Sequence, residues 1–308
     1  MSDYDVIVVG SGLAGLTGGL FAARHGLVTL VLEANIPGSH LISIEKIEDF
    51  PGFPDGIAGY DLCPMVQRQA ADQGAEFQRA DVLGLEAQDR LWSVITNQER
   101  HRAKAVIVAT GSRLKSLGVP GEEKLMGRGV SHCASCDGPL YNGRTVGVVG
   151  GGDSALQEAL ALTNYAEQIL LFHDGEQFSA QRTYQQRVLA STKITPRYRT
   201  IVEEILGEDV VAGVRARDLA SGESSQVELA GLFIYAGLQP NTALLKELVE
   251  LSDTGRVPTD TWMKTSRDGL YAAGDIRQDS AAQAISSAGD GATAAIAAYR
   301  YIKGTFRS

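Results

Sequence analysis

Cys133-Ala134-Ser135-Cys136-Asp137-Gly138 places two thiols at a spacing that closes a small disulfide ring, with an acid directly after the second sulfur. The thiolate is the reactive form of cysteine, and such pairs work when the local field lowers one pKa from about 8.5 towards neutrality. Asp137 is placed to pass a proton to or from a departing sulfur. Half of a zinc site would look similar, but it needs two further ligands at metal spacing. Cys63 is the only other cysteine and no histidine pair lies near it, so no metal is expected and redox chemistry is the better reading.

The elements around this dithiol follow a pattern that repeats. Val6-Ile7-Val8-Val9 is a continuous apolar run, as a parallel strand buried on both faces requires. It feeds Gly10-Ser11-Gly12-Leu13-Ala14-Gly15, a helical stretch to about His25, and a second strand from Val28 to Leu32 ending at Glu33. Glycines there allow a tight turn and let backbone N–H groups approach a pyrophosphate, while an acid about 20 residues on can accept from ribose hydroxyls. Strand, glycines, helix, strand and acid in this order point to a dinucleotide. After the dithiol the pattern returns: Val146-Gly147-Val148-Val149, Gly150-Gly151-Gly152-Asp153-Ser154-Ala155, a helix to about Thr163, and a strand from Gln168 to Phe172. The fold class expected is α/β, with two Rossmann-like βαβ units in three layers.

Between and beyond them, Val82 to Glu86 and Leu91 to Thr96 read as antiparallel strands around a turn at Asp89-Arg90. Ala105 to Ala109 reads as a buried strand, Thr200 to Leu229 as a short meander, and Leu232 to Tyr235 as a return to the sheet. Tyr271-Ala272-Ala273-Gly274-Asp275 is another strand with an acid at its carboxyl end, and Ala288-Gly289-Asp290-Gly291 precedes a helix reaching about Lys303. Cys63, in the helix-like run Tyr60 to Gln73, reads as a small buried hydrophobe.

The 308 residues carry 28 basic and 37 acidic side chains, a formal charge of −9 that argues against general nucleic-acid binding. That length suggests two domains. The opening Ser2-Asp3-Tyr4-Asp5 does not read as a signal peptide, and no apolar run of about 18 residues occurs, so a cytoplasmic protein outside the membrane is expected.

Taken together, the Gly10–Gly15 loop, Glu33, Asp49-Phe50-Pro51-Gly52, Ala109-Thr110-Gly111, Cys133–Gly138, Gly150–Ala155, Gly237–Asn241, Gly274-Asp275 and Ala288–Gly291 resemble the low-molecular-weight thioredoxin reductases over nearly the whole chain. The resemblance implies a homodimer and a discontinuous FAD domain, 1–112 plus 241–308, into which a dithiol-bearing domain, 113–240, is inserted. It implies that Cys136 is the sulfur nearest the flavin, that Cys133 attacks a thioredoxin-like protein disulfide, and that Asp137 is the acid/base. For FAD it implies Gly10, Gly12, Ala14, Gly15, Glu33, Asp49, Val82, Thr110, Gly111 and Asp275, with Gln283 and Ala284 presenting backbone groups to the isoalloxazine.

Departures from the family pattern bear on the electron donor. Members that use NADPH carry a histidine, two arginines and a further arginine after the second strand of the inserted domain. This chain reads His173-Asp174-Gly175-Glu176-Gln177-Phe178-Ser179-Ala180, with Asp174, Gly175 and Ser179 at the arginine positions. A 2′-phosphate is held by charge-assisted arginine bonds, and Asp174 would repel it, so NADPH use is not expected. An acid at that strand end suits a ribose 2′-hydroxyl, which leaves NADH open. Some family branches take electrons from ferredoxin, an acidic carrier. From Gln177 to Val202 the chain has Arg182, Arg187, Lys193, Arg197 and Arg199 and no acidic residue, which is either a ferredoxin docking site or a solvated face. Related flavoproteins run in reverse as dithiol oxidases using oxygen, and a flavin-bound redox sensor is the non-catalytic reading. Ser39, His40, Asp49 and Ala282 also differ from the usual residues beside the flavin, and His132 adjoins Cys133.

Overall fold

In the computed structural model, residues 3–88 and 90–305 are described, excepting the side chains of Asp3, Ser39 and His40. Asp89 of the expected turn, and the Ser39 and His40 side chains expected beside the flavin, therefore lie outside the described residues. The chain divides into two compact units, Met1–Arg113 with Pro240–Ser308, and Leu114–Gln239.

The first unit opens with β1 (Asp3–Val9), α1 (Leu13–Arg24) and β2 (Thr29–Glu33), followed by α2 (Gly59–Asp72), β3 (Glu76–Arg79), β4 (Val82–Gln88), β5 (Leu91–Thr96) and β6 (Arg100–Val108). The strand expected from Ala105 thus begins earlier. Its first half pairs antiparallel with β5, and its second half is sandwiched in the parallel sheet. A short strand, β7 (Ser112–Leu114), follows at the boundary.

In the second unit come α3 (Glu122–Leu125), β8 (Val130–Ser131), α4 (Ala134–Asp137), β9 (Thr145–Val149), α5 (Asp153–Leu162), β10 (Gln168–Phe172), α6 (Arg182–Ala190) and β11 (Ile194–Arg197). The expected meander is an antiparallel sheet of β12 (Thr200–Leu206), β13 (Gly213–Asp218) and β14 (Ser224–Glu228), and β15 (Leu232–Ile234) returns to the parallel sheet. After the boundary strand β16 (Leu238–Pro240), the first unit is completed by β17 (Leu270–Ala272) and α7 (Ala284–Ile302).

Each unit has a parallel sheet covered on both faces. In the first the order is β3-β2-β1-β6, with β17 joining the second half of β6. Val6 and Val8 face α1 and α7 through Ala14, Ala22, Ala294 and Ala298, while Ile7 and Val9 face Trp92, Val94, Leu245 and Val249. Burial on both faces is why the run is apolar at every position. In the second unit the order is β11-β10-β9-β15-β8. Val146, Val148, Ile169 and Leu171 pack on α5 and α6, whereas Leu170 and Phe172 pack on Val202, Val214 and Ala216 of the meander. The architecture is α/β with two Rossmann-like units. Cys63 is fully buried in α2, against Gly38, and no helix among the described residues is long and apolar enough to cross a membrane.

Candidate active site

The carboxyl ends of β1, β2, β6 and β17 bring Gly10, Glu33, Thr110 and Asp275 to one edge of the first unit's sheet, where ligands of open α/β sheets bind. Gly10 has φ +102°, and a Cβ there would run into the Ala109 carbonyl. Gly15 lets α1 lie against Gly10 in the same way. Gly12 is the N-cap of α1 with no side-chain capping bond, and a Cβ added to it would meet nothing within 4 Å. The helix thus begins with uncapped N–H groups, Ala14 among its first residues, under an open face that suits a pyrophosphate.

Glu33 braces this loop. Its Oε2 accepts the Ser11 N–H at 2.8 Å and the Ser11 hydroxyl at 2.9 Å, and Oε1 accepts the Asn35 N–H at 3.0 Å. A carboxylate retains lone pairs for ribose hydroxyls beyond these. Asp275 accepts from the Ser112 hydroxyl at 3.0 Å and the Ser287 hydroxyl at 3.2 Å. The preceding Gly274 N–H donates to Asp290 at 3.1 Å, and Arg277 grips the same carboxylate at 2.8 and 3.2 Å. Thr110 and Gly111 are locked to Asn241: the Thr110 hydroxyl donates to the Asn241 carbonyl at 2.7 Å, and the Asn241 amide N–H reaches the Gly111 carbonyl at 3.0 Å. Gln283 caps α7 reciprocally with Ser286, and Ala284 packs towards Leu13 and Leu16. The open cradle at Gly12 and the acids at two strand ends fit FAD. Asp49 is exposed between the bridged residues Ile47 and Ile57, and Val82 starts β4, packed on the core of the sheet's other face.

In the second unit Cys133 and Cys136 are joined as a disulfide. Cys133 is the N-cap of the single-turn α4; its Sγ accepts the Cys136 N–H at 3.2 Å and lies 3.3 Å from the Ser135 hydroxyl. Cys133 is partly buried and Cys136 is exposed. Asp137 ends α4, its N–H on the Cys133 carbonyl at 3.1 Å. His132 Nδ1 donates to the Ile234 carbonyl at 2.9 Å, so the ring is anchored at the end of β15 rather than free in solvent. A residue that no motif marks completes the setting: Glu158 of α5 accepts the Ala134 N–H and the Tyr235 hydroxyl, each at 2.9 Å. Among the described residues no group of His, Cys, Asp and Glu is arranged to hold a metal ion.

The second glycine loop is finished differently from the first. The His173 ring lies over Gly151, with Nε2 2.9 Å from the Gln177 carbonyl and Nδ1 3.3 Å from Asp174, whose side chain is 74% exposed. The Ser179 hydroxyl sits on the Gly151 carbonyl at 3.3 Å, and both Asp153 oxygens are engaged by Gln181, at 2.7 and 3.0 Å. Arg199 reaches back to this segment but pairs with Glu176 at 2.7 Å. In the basic stretch Arg182, Arg187, Lys193, Arg197 and Arg199 are all exposed; Lys193 donates to the Thr163 and Ala166 carbonyls at 2.7 and 3.1 Å, and Arg187 lies 5.9 Å from the Tyr184 ring.

A dinucleotide cradle in one Rossmann-like unit and a closed CxxC pair in the other are matched by the pyridine nucleotide-disulphide oxidoreductase family over residues 4–292. The chain belongs to this family. It is 40% identical to the thioredoxin reductase of Mycolicibacterium smegmatis, over 97% of this chain and 96% of the relative. It is 36% identical to that of Treponema pallidum (strain Nichols), over 98% of each. The crystal structure of Lactococcus lactis thioredoxin reductase in its FR conformation superposes with a TM-score of 0.95 at 34% identity, covering 98% of this chain and 99% of that one. This member of the family is thus a flavoprotein oxidoreductase that binds FAD.

Proposed function

We propose that the protein reduces the disulfide of a thioredoxin-type partner through Cys133 and Cys136, using a donor other than NADPH. The observation that carries the first half is the CxxC disulfide on α4, in a chain whose relatives are thioredoxin reductases. FAD bound at Gly12, Glu33 and Asp275 would supply the electron pair that opens the disulfide. With one proton, for which Asp137 is the nearest acid in sequence, two electrons convert the S–S bond to one thiolate and one thiol. The Cys133 thiolate then attacks the partner's disulfide and expels one partner thiolate; Cys136 attacks Cys133 and releases the second.

This order is the expected one, and the geometry at the start of α4 supports it. Cys133 Sγ, at the N-cap of α4, faces the Cys136 N–H at 3.2 Å and the Ser135 hydroxyl at 3.3 Å, donors that favour a thiolate on the attacking sulfur. With Cys136→Ser, a thioredoxin lacking its resolving cysteine should be trapped as a mixed disulfide on Cys133, and Cys133→Ser should trap nothing. Trapping on Cys136 alone reverses the two roles, and failure of both removes thioredoxin as the partner.

The donor reading rests on Asp174, Gly175 and Ser179, and on Arg199 being held by Glu176. Two or three missing charge-assisted contacts at roughly 1.5–3 kcal/mol each weaken a 2′-phosphate complex by several orders of magnitude. An acidic carrier of the ferredoxin type fits the basic stretch of Arg182, Arg187, Lys193, Arg197 and Arg199, all five of them exposed. Neutralising these five should lower the carrier's association rate and flatten its salt dependence. An unchanged rate makes them a solvated face. The resemblance supports a cytoplasmic homodimer, and sedimentation velocity checks the dimer.

A further inference from the structure

Glu158 stands outside every motif that pointed to the redox pair, yet α4 is seated on it. It lies in the second turn of α5 and is partly buried. Its Oε2 accepts the Ala134 N–H and the Tyr235 hydroxyl, each at 2.9 Å. Ala134 is the first residue of α4, so one of the N–H groups that a helix start leaves without an intrahelical acceptor goes to a carboxylate. A second, that of Cys136, goes to the Cys133 sulfur. The same end of one helical turn therefore serves two acceptors, the Glu158 carboxyl group and the Cys133 sulfur.

Tyr235 is buried, and burial first, then the Glu158 charge, pushes its hydroxyl far above the usual range, so it remains a donor to Glu158. The other ionisable groups facing α4 are Asp137 at its own end, His132 before it, tied to the Ile234 carbonyl, and Tyr141 in the turn after it. Burial and then Asp137 raise Tyr141 as well. A helix N-terminus lowers a cysteine pKa, whereas a like charge at that N-terminus raises it.

We propose that Glu158 is a positioning residue for the redox pair: it fixes the start of α4 through Ala134, and its carboxylate opposes the thiolate of the opened pair. The reduced dithiol then keeps its protons to higher pH than the helix end alone would allow. The proposal rests on the reading of Cys133 and Cys136 as the redox centre, but not on which donor or partner they serve.

The test is the pH profile of iodoacetamide alkylation of the FAD-loaded protein after chemical reduction of its disulfide. Cys63 stays silent over the profile, because burial raises its thiol to about 11. Glu158→Gln keeps an oxygen for Ala134 but removes the charge, and should move the midpoint down by about one pH unit. Tyr235→Phe keeps the charge and removes the donor that shares it, and should move the midpoint up. A residue that served packing alone would change the melting temperature of either variant and leave both midpoints in place. No shift in Glu158→Gln, or shifts of the same sign in both variants, overturns the proposal. If Glu158→Gln does not fold, Tyr235→Phe decides: an upward shift supports the proposal and an unmoved midpoint ends it. Loss of thioredoxin trapping with these shifts intact would instead count against the proposed partner.

Discussion

The two glycine loops begin alike and end differently. Gly10 and Gly150 both adopt positive φ, +102° and +138°, and a Cβ on either would strike the carbonyl that ends the neighbouring parallel strand, Ala109 in one unit and Tyr235 in the other. The first glycine of each loop is therefore required by packing, whatever binds there. The helix starts also match: Gly12 and Gly152 are N-caps without side-chain capping bonds. What differs is the space above and the charge beyond. Gly12 faces open space, and Glu33 holds its loop from behind. Above the second loop, the His173 ring covers Gly151, Ser179 approaches Gly152, and the charged residues of the segment from 173 to 180, His173 aside, are Asp174 and Glu176. A glycine fingerprint thus reports the strand–turn–helix corner, while the residues after the next strand report the ligand.

Substituting the equivalent glycine in each loop separates the two most sharply. Gly12→Asp places a carboxylate on the start of α1, and loss of two or more charge-assisted bonds to the pyrophosphate should lower FAD affinity at least about a hundredfold. It is read as flavin per chain after gel filtration. Gly152→Asp should leave flavin content and donor-driven flavin reduction unchanged, and as a new N-cap should stabilise the second unit slightly, by a few tenths of a kcal/mol. If Gly152→Asp stops flavin reduction, the second loop binds the donor after all and the contrast collapses.

A smaller gain sharpens it from the other side. Restoring arginines at positions 174 and 179 with Asp174→Arg and Ser179→Arg should raise NADPH affinity by roughly ten- to a thousandfold, measured by flavin bleaching against NADPH concentration. The third position is less forgiving, because a Cβ at Gly175 would press on the His173 ring. No gain from the double variant would place the obstacle in the covered loop rather than in the missing charge.

Much of this contrast is legible in the sequence. Unbroken apolar runs marked β1, β9 and β10 because their strands are buried on both faces. Glycines at fixed spacing marked both corners, and the CxxC pair marked the redox site. β3 and β11 were not legible: Glu-Phe-Gln-Arg is half exposed at a sheet edge, and Ile-Thr-Pro-Arg carries a proline that only an edge strand accommodates. Glu158 left no mark, since its partners are a backbone N–H and a tyrosine 77 residues away. Nor could spacing reveal that Cys136 is the exposed sulfur, or that Lys193 and Arg199 are engaged, because those follow from how α4, α5 and β11 pack.

The smallest effect concerns the first unit's own stability, apart from its ligand. His101 is 2% exposed, and neither ring nitrogen has a hydrogen-bond partner; its nearest anion, Glu99, lies 3.9 Å away. A buried polar group left unpaired is destabilising by about 1–3 kcal/mol, so His101→Phe, stacked edge-on to Tyr4, should raise the melting temperature by a few degrees. Flavin content and the alkylation profile of the dithiol should not change. A lower melting temperature would mean that the ring is better satisfied than its geometry indicates.

The central claim is that the second Rossmann-like unit keeps the shape of an NADPH site without its charge. Anaerobic rapid mixing of the FAD-loaded protein with NADPH, NADH and reduced ferredoxin, each alone, tests it most directly through the flavin absorbance. The account predicts negligible flavin reduction by NADPH over seconds even at millimolar concentration, and rapid, salt-sensitive reduction by ferredoxin. Reduction by NADH alone would make Asp174 the recognising residue and remove ferredoxin from the account. Reduction by NADPH within milliseconds would contradict the claim outright, and would mean that Arg199 leaves Glu176 to take the 2′-phosphate.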